Sequence, residues 1–348
     1  MRASFVAPAL ACLLFAVPDV AGGDEATSGG PTGTAAPGTP PAAPQPPAAR
    51  EVVASDALVV RPRALLTQSA TGLPLEGTRV SARTLAQADT RIGTGLGDYS
   101  VTRATAELRV RHNLSARFQL VGDVAAERGS FDFTDPAALV PAGTGDLGGT
   151  MTGLRAGLGG SWSLSRTFGL TLAANLRWLW MDGADMGDGF QPGAVAAVRV
   201  RLFGATDVFV GGSFTKGLEG DPYVLPTLGL GGLSSGAGSR WHVEARGAGV
   251  GVTYDLTSCL SLGVVAGYER RDVRLAPDDR LPDGVLRERR LPVGLELGWR
   301  LRRESFLLLS AGASIWNRIT LLDSDGTIVR YETTEPAPFV QLEWSLRL

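Results

Sequence analysis

Apolar and polar residues alternate one by one along most of this chain. Over 116–128, Ala116, Phe118, Leu120, Gly122, Val124 and Ala126 interleave with Arg117, Gln119, Val121, Asp123, Ala125 and Glu127. Over 168–180, Phe168, Leu170, Leu172, Ala174, Leu176, Trp178 and Trp180 oppose Thr171, Ala173, Asn175 and Arg177. Leu291, Val293, Leu295, Leu297, Trp299 and Leu301 stand opposite Arg290, Glu296 and Arg300, and Val340, Leu342, Trp344, Leu346 and Leu348 stand opposite Gln341, Glu343, Ser345 and Arg347. A period of two places successive side chains on opposite faces of a β-strand, whereas a helix would repeat every 3–4 residues. The pattern predicts strands at 78–88, 100–111, 116–128, 150–162, 168–181, 191–202, 207–216, 240–254, 259–275, 287–301, 305–318 and 336–348.

Between them, short turns at 112–115, 163–167, 203–206 and 302–304 alternate with long polar or glycine-rich connections at 129–149, 182–189, 276–287 and 321–334. Strands of roughly 9–11 residues with such connections describe a transmembrane barrel, apolar outside and polar inside. Strands of a soluble sandwich are nearer 5–6 residues. The fold class expected is therefore all-β, an antiparallel transmembrane β-barrel of twelve strands with both chain ends periplasmic. Tyr223 to Leu233 also looks strand-like, and apolar parity flips around Gly247 and Gly249, from Trp241, Val243 and Ala245 to Val250, Val252 and Tyr254. A bulge explains the flip and keeps twelve strands, with 217–239 as a long outer loop; two short strands there would make fourteen.

The residues before the barrel read differently. Arg2 followed by the apolar run 3–17 and small residues at Ala21, Gly22 and Gly23 reads as a signal peptide over 1–22. Cys12 lies within that run and belongs to it, which leaves Cys259 as the single thiol of the mature chain. Residues 23–56 are rich in Pro, Gly and Ala, with seven prolines from Pro31 to Pro47. They cannot bury enough apolar surface to offset their ordering entropy, so a disordered linker is expected. Residues 57–77 are transitional, and 78–348 form the barrel.

Composition agrees with a barrel and removes other classes. Glycine contributes 46 of 348 residues, hydrophobic residues 44% and charged residues 20%. The formal net charge of −2 gives no electrostatic basis for nucleic-acid binding. All seven tryptophans fall near predicted strand ends: Trp162, Trp299 and Trp344 toward the short turns, Trp178, Trp180, Trp241 and Trp316 toward the long loops. Amphipathic rings prefer the headgroup level, so these form two girdles. On the polar parity lie Glu107, Arg109, Arg111, Arg117, Asp123, Glu127, Arg155, Arg177, Arg199, Arg201, Glu296, Arg300, Glu343 and Arg347, the candidate lumen residues. Charges of both signs in a narrow lumen are expected to pair across strands.

The stretches WHVEARGAGVGVTYDLTSCLSLGVVAGYERRDVRL, RRLPVGLELGWRL and APFVQLEWSLRL resemble an uncharacterised family of outer-membrane β-barrels, a domain of unknown function, over about 222–348. The resemblance implies a barrel in the outer membrane of a Gram-negative bacterium, with lipid and the barrel-assembly machinery as partners, and implies no activity. Such barrels usually end in an aromatic residue, whereas this chain ends in Leu348.

Catalytic chemistry finds little support. His242 lies near Ser234, Ser235 and Ser239, but no third residue is spaced to orient the imidazole. His112, with Asn113 and Ser115, falls in a turn. Asp182, Asp185 and Asp188, and Asp278, Asp279 and Asp283, lack a calcium-loop pattern and read as loop acids. The glycines at 93–97 have no phosphate-loop context, so no catalytic, metal or cofactor site is expected. The reading is a non-enzymatic barrel, a small-solute channel or a structural barrel with a charged lumen. The alternatives are a lipid hydrolase using His242 or a surface binding module acting through the long loops.

Overall fold

The computed structural model describes residues 77–348 apart from 94, 141–144, 203–206, 220–221, 234–240, 247–248 and 303, with backbone alone at 207, 225–233 and 241–246. The expected signal peptide, linker and transitional segment lie outside the described residues, except for Gly77. The strands are β1 (Gly77–Arg91), β2 (Asp98–Asn113), β3 (Phe118–Phe133), β4 (Gly149–Ser163), β5 (Phe168–Met181) and β6 (Phe190–Arg201). They continue with β7 (Asp207–Thr215), β8 (Tyr223–Leu233), β9 (Trp241–Arg246), β10 (Gly249–Asp255) and β11 (Leu260–Gly267). The last are β12 (Glu269–Arg274), β13 (Val285–Arg300), β14 (Ser305–Leu322), β15 (Ile328–Thr334) and β16 (Ala337–Arg347). A single helical turn, Pro136–Leu139, follows β3, with the Asp135 carboxylate accepting from the Ala138 N–H at 3.2 Å.

Three short turns are built by one local device. Ser115 Oγ accepts from the backbone N–H groups of Arg117 and Phe118, Ser165 Oγ from Thr167 and Phe168, and Thr257 Oγ1 from Cys259 and Leu260. A hydroxyl at the first turn residue thus satisfies donors that the ladder has not yet reached. It also fixes where β3, β5 and β11 begin.

Pairing runs around a closed sheet. Each strand from β1 to β10 is antiparallel to the next, β10 pairs with β11, β11 with β13, β13 with β14, β14 with β16, and β16 returns to β1. β11 and β12 lie in succession along β13, and β15 and β16 in succession along β14. The sixteen segments therefore occupy fourteen positions around the sheet at the short-turn end, among the described residues.

The long-loop end is narrower. There β12 leaves the wall and meets β5 in parallel, Arg274 opposite Trp180, while Ile92 just after β1 bridges Thr334 of β15. β1 to β5 and β12 to β15 then close a second, smaller ring of nine strands above the wide one. The inner side chains of that narrow ring fill it. Tyr99, Val101, Phe131, Met151, Leu179 and Met181 pack against Val273, Leu286, Ile319 and Leu321 in one buried cluster.

The sheet departs from the sequence pattern in two respects. Twelve strands are not observed: Tyr223–Leu233 is a strand rather than part of a loop, and the parity flip expected to be a bulge falls between two antiparallel strands, Trp241–Arg246 and Gly249–Asp255. Arg246 pairs with Gly249 and Trp241 with Tyr254 across it. A bulge and a tight turn produce the same local flip, because each reverses which face a residue occupies. The purely antiparallel sheet is also not observed, because the narrow ring is closed by the parallel β5–β12 contact. The interior route of β12 and the first part of β13 gives each a neighbour on both faces, so Val285, Leu286, Arg287, Glu288 and Arg290 are all buried.

Candidate functional site

Beneath the apolar plug lies a polar cavity of about 520 Å³. It is lined by the inward faces of β1 to β5, by Tyr223, and by Tyr268 to Arg271, where the β12 segment turns inward. Small inner residues on β4 and β5 make the room, including Gly157, Gly159 and Ala173. A Cβ on Gly157 would lie 2.6 Å from Asp123 Oδ1, so a larger residue there would push that carboxylate aside.

That carboxylate belongs to a ladder of charges. Arg155 donates from Nε to Asp123 at 3.1 Å and from Nη2 to Glu107 at 2.7 Å, and Arg109 holds the other oxygen of Glu107 at 2.6 Å. Glu127 accepts from Arg271 and faces Arg103 at 4.0 Å. Glu288 accepts from both Tyr99 and Arg103. Arg290 donates twice to Glu269, at 2.9 and 2.7 Å, and Asp272 is held between Arg270 and Arg287. Buried ions are tolerated when opposite charges and hydrogen bonds replace lost hydration, and this ladder supplies both. It ties β2 and β3 on one side of the lumen to β12 and β13 on the other.

The structure places the sequence-derived residues unevenly. Glu107, Arg109, Arg155 and Arg177 line the polar cavity, together with Asp123, Glu127 and Glu343. Glu296 lines an adjoining pocket of about 130 Å³ against β1, β14 and β16. Arg111 and Arg199 are buried, Arg199 donating to Ser163 Oγ at 3.0 Å. Arg201, Arg300 and Arg347 are half-buried, with Arg300 over the Phe306 ring at 5.5 Å, and Arg117 is exposed at a turn.

Of the tryptophans, Trp162, Trp299 and Trp344 are exposed and Trp178, Trp180 and Trp316 half-buried, while the side chains of Trp241 and His242 lie outside the described residues. The residues that sequence reasoning missed are Tyr99, Arg103, Arg271, Arg287, Glu288 and Arg290. For the last four the signal was charge on both parities over 269–290, which no lipid-facing strand can carry; Tyr99 and Arg103 had no comparable signal.

The loop at 275–284 seals the plug from above. Arg280 donates to the carbonyls of Val140 at 2.6 Å and Gly145 at 3.0 Å, and Leu281 joins the apolar cluster. Asp279 accepts from the Ala276 N–H at 2.8 Å. Burial pushes its carboxyl up to about 6; Asp278 and Asp146 add to the rise, and the Ala276 hydrogen bond opposes it. The closed loop therefore binds this proton more tightly than an open chain, whose aspartate titrates near 3.9. The closed form is favoured at low pH and loses that advantage as pH rises from about 4 through about 6. Hydrogen exchange across 275–284, corrected for intrinsic rates, is expected to be slower at pH 5 than at pH 7.5. Asp279→Asn should remove the difference, and an unchanged pH dependence in that variant would exclude this origin.

Neither a family model nor a curated protein matches the sequence. Solved structures of outer-membrane β-barrels are similar to it. An outer-membrane channel from Pseudomonas putida F1 is 11% identical with a TM-score of 0.42, covering 79% of this chain and 96% of that one. The P. putida toluene transporter TodX is 10% identical with a TM-score of 0.43, covering 84% and 94%. LpxR from Salmonella typhimurium is 13% identical with a TM-score of 0.34, covering 77% and 100%.

Proposed function

We propose that this chain is an outer-membrane β-barrel that conducts small polar solutes and is closed at its long-loop end by the β12–β13 plug. The observation that carries the membrane reading is the outward face of the sheet. Leu158 is 61% exposed, Leu295 59% and Val264 51%, and Leu172, Val210 and Val340 continue the same face on other strands. Exposed apolar area on this scale, with no second sheet to cover it among the described residues, needs a hydrocarbon solvent. The orientation follows from the barrel pattern: short turns and both ends of the described chain periplasmic, long loops outside. Purified protein is expected to fold only in detergent or lipid and to migrate differently on a gel before and after heating. A compact monomer stable without detergent would contradict the reading.

The conduction reading rests on the cavity and on what blocks it. A charged space of about 520 Å³ lies below an apolar plug held to β5 by a short edge contact, Arg274 opposite Trp180. In planar bilayers the protein should show brief openings. Cysteines replacing Arg274 and Trp180, in a Cys259→Ser background, should abolish those openings when oxidised and restore them when reduced. Absence of openings in the unmodified protein, or openings indifferent to the crosslink, would contradict a gated path through the plug.

A further inference from the structure

We propose that the lumen cavity holds a binding site for a small polar monocarboxylate, centred on the Arg177 guanidinium with Asn175 beside it. Six arginines and five carboxylates of the described residues line the cavity. Glu269, one of the five, is held by Arg290, and Arg270, one of the six, is held by Asp272; neither partner lines the cavity. The remaining groups still carry one positive charge in excess.

The pairing shows where the excess sits. Arg155 is directly opposite Arg177 across β4 and β5, an unfavourable juxtaposition of like charges on one face. Arg155 is neutralised by Asp123 and Glu107. Arg271 and Glu127 also lie near Arg177, and Glu127 is already hydrogen-bonded to Arg271. Gln191, its other cross-strand partner, donates its amide to the Asp272 carbonyl. Among the described residues Arg177 makes no hydrogen bond or ion pair.

Asn175 lies two residues earlier on the same inward face and also lines the cavity. Same-face neighbours along a strand are roughly 6.6 Å apart, so a guanidinium fork and an amide face the same space. A planar carboxylate accepts two parallel N–H donors from arginine, a match that a spherical ion cannot make. One unit of excess charge suits a monoanion rather than a phosphate dianion. A volume of about 520 Å³ leaves room for a body beyond the carboxylate, and Thr105, Thr171 and Tyr223 give that body polar walls. The site itself stands without the conduction reading; only its role as a filter for the conducted solute rests on it.

The test uses the full chain in lipid nanodiscs, with lactate as the probe and lactamide, its neutral counterpart, as the control. Lactate binding measured by equilibrium dialysis should exceed lactamide binding, and equimolar chloride should not displace it. Arg177→Gln should weaken lactate binding by about tenfold or more, the scale of a lost charge-assisted hydrogen-bond pair. Asn175→Ala should weaken it less, Arg177→Lys should restore part of it, and Arg128→Gln, at an exposed ion pair with Asp182, should leave it unchanged. Heat-modifiable migration reports that each variant is folded. If Arg177→Gln does not fold, the lactamide comparison and Asn175→Ala decide. Equal binding of lactate and lactamide, displacement by chloride, or full binding in a folded Arg177→Gln protein would overturn the proposal. Binding without conductance would keep the site and refute the channel.

Discussion

Glu288→Ala is expected to destabilise the barrel by about 3–5 kcal/mol, the usual cost of removing one partner from a buried ion pair. Glu288 sits inside the narrow ring and accepts from Tyr99 and Arg103, which reach it from β2. Without it the Arg103 guanidinium stays buried with Glu127 4.0 Å from its Nε. The double variant Arg103→Leu with Glu288→Leu should recover most of the loss, because apolar side chains of similar size suit the plug around Phe131 and Leu286. Urea unfolding of the lipid-reconstituted protein, compared across the wild type, both single variants and the double, reads this directly. Additive losses in the double variant would mean that the two residues are not coupled across the lumen.

The second large effect concerns the outer face. Leu172→Arg and Leu295→Arg should each cost about 2–4 kcal/mol of folding into a bilayer if these residues meet lipid near its midplane. Both leucines are exposed, 43% and 59%, on strands whose alternate residues face the cavity (β5) or the smaller pocket beside it (β13). Arg177→Leu, on the inward face of the same strand as Leu172, should cost much less and should change ligand binding instead. Folding yields into vesicles of one lipid, measured side by side, separate the two classes. Equal penalties at Leu172 and Arg177 would reverse or abolish the assignment of faces.

How far the sequence reveals this protein follows from what each segment touches. β2 to β5 are legible because one face is apolar and exposed and the other borders a polar lumen, so chemistry and strand period coincide. Ser115, Ser165 and Thr257 mark turns because their hydroxyls act on residues two and three places ahead. The same logic fails at β12 and the start of β13. Glu269 to Arg274 and Val285 to Arg290 face protein on both sides, so neither parity is apolar; the strands expected at 259–275 and 287–301 therefore carry no sign that these parts turn inward. Their partners, Glu127, Arg103, Tyr99 and Gln87, are far away in sequence and meet them only once the sheet closes. The β9–β10 hairpin was hidden for a different reason: a parity flip at glycines is as compatible with a bulge as with a turn. Arg177 stood among fourteen charged candidates with nothing local to distinguish it. What singles it out is that Asp123, Glu107 and Glu127 are each engaged by other arginines.

Whether the leucine face of this barrel lies in lipid is tested most directly by fluorescence quenching at single sites. In a Cys259→Ser background, which removes the exposed native thiol, fluorophores are attached to cysteines replacing Leu172, Leu295 and Asn175 in lipid bilayers. Spin-labelled acyl chains should quench the probes at 172 and 295 and leave the probe at 175 unaffected, while aqueous iodide should leave 172 and 295 bright. Iodide quenching at 172 and 295, with no effect of the labelled lipid, would contradict the membrane barrel.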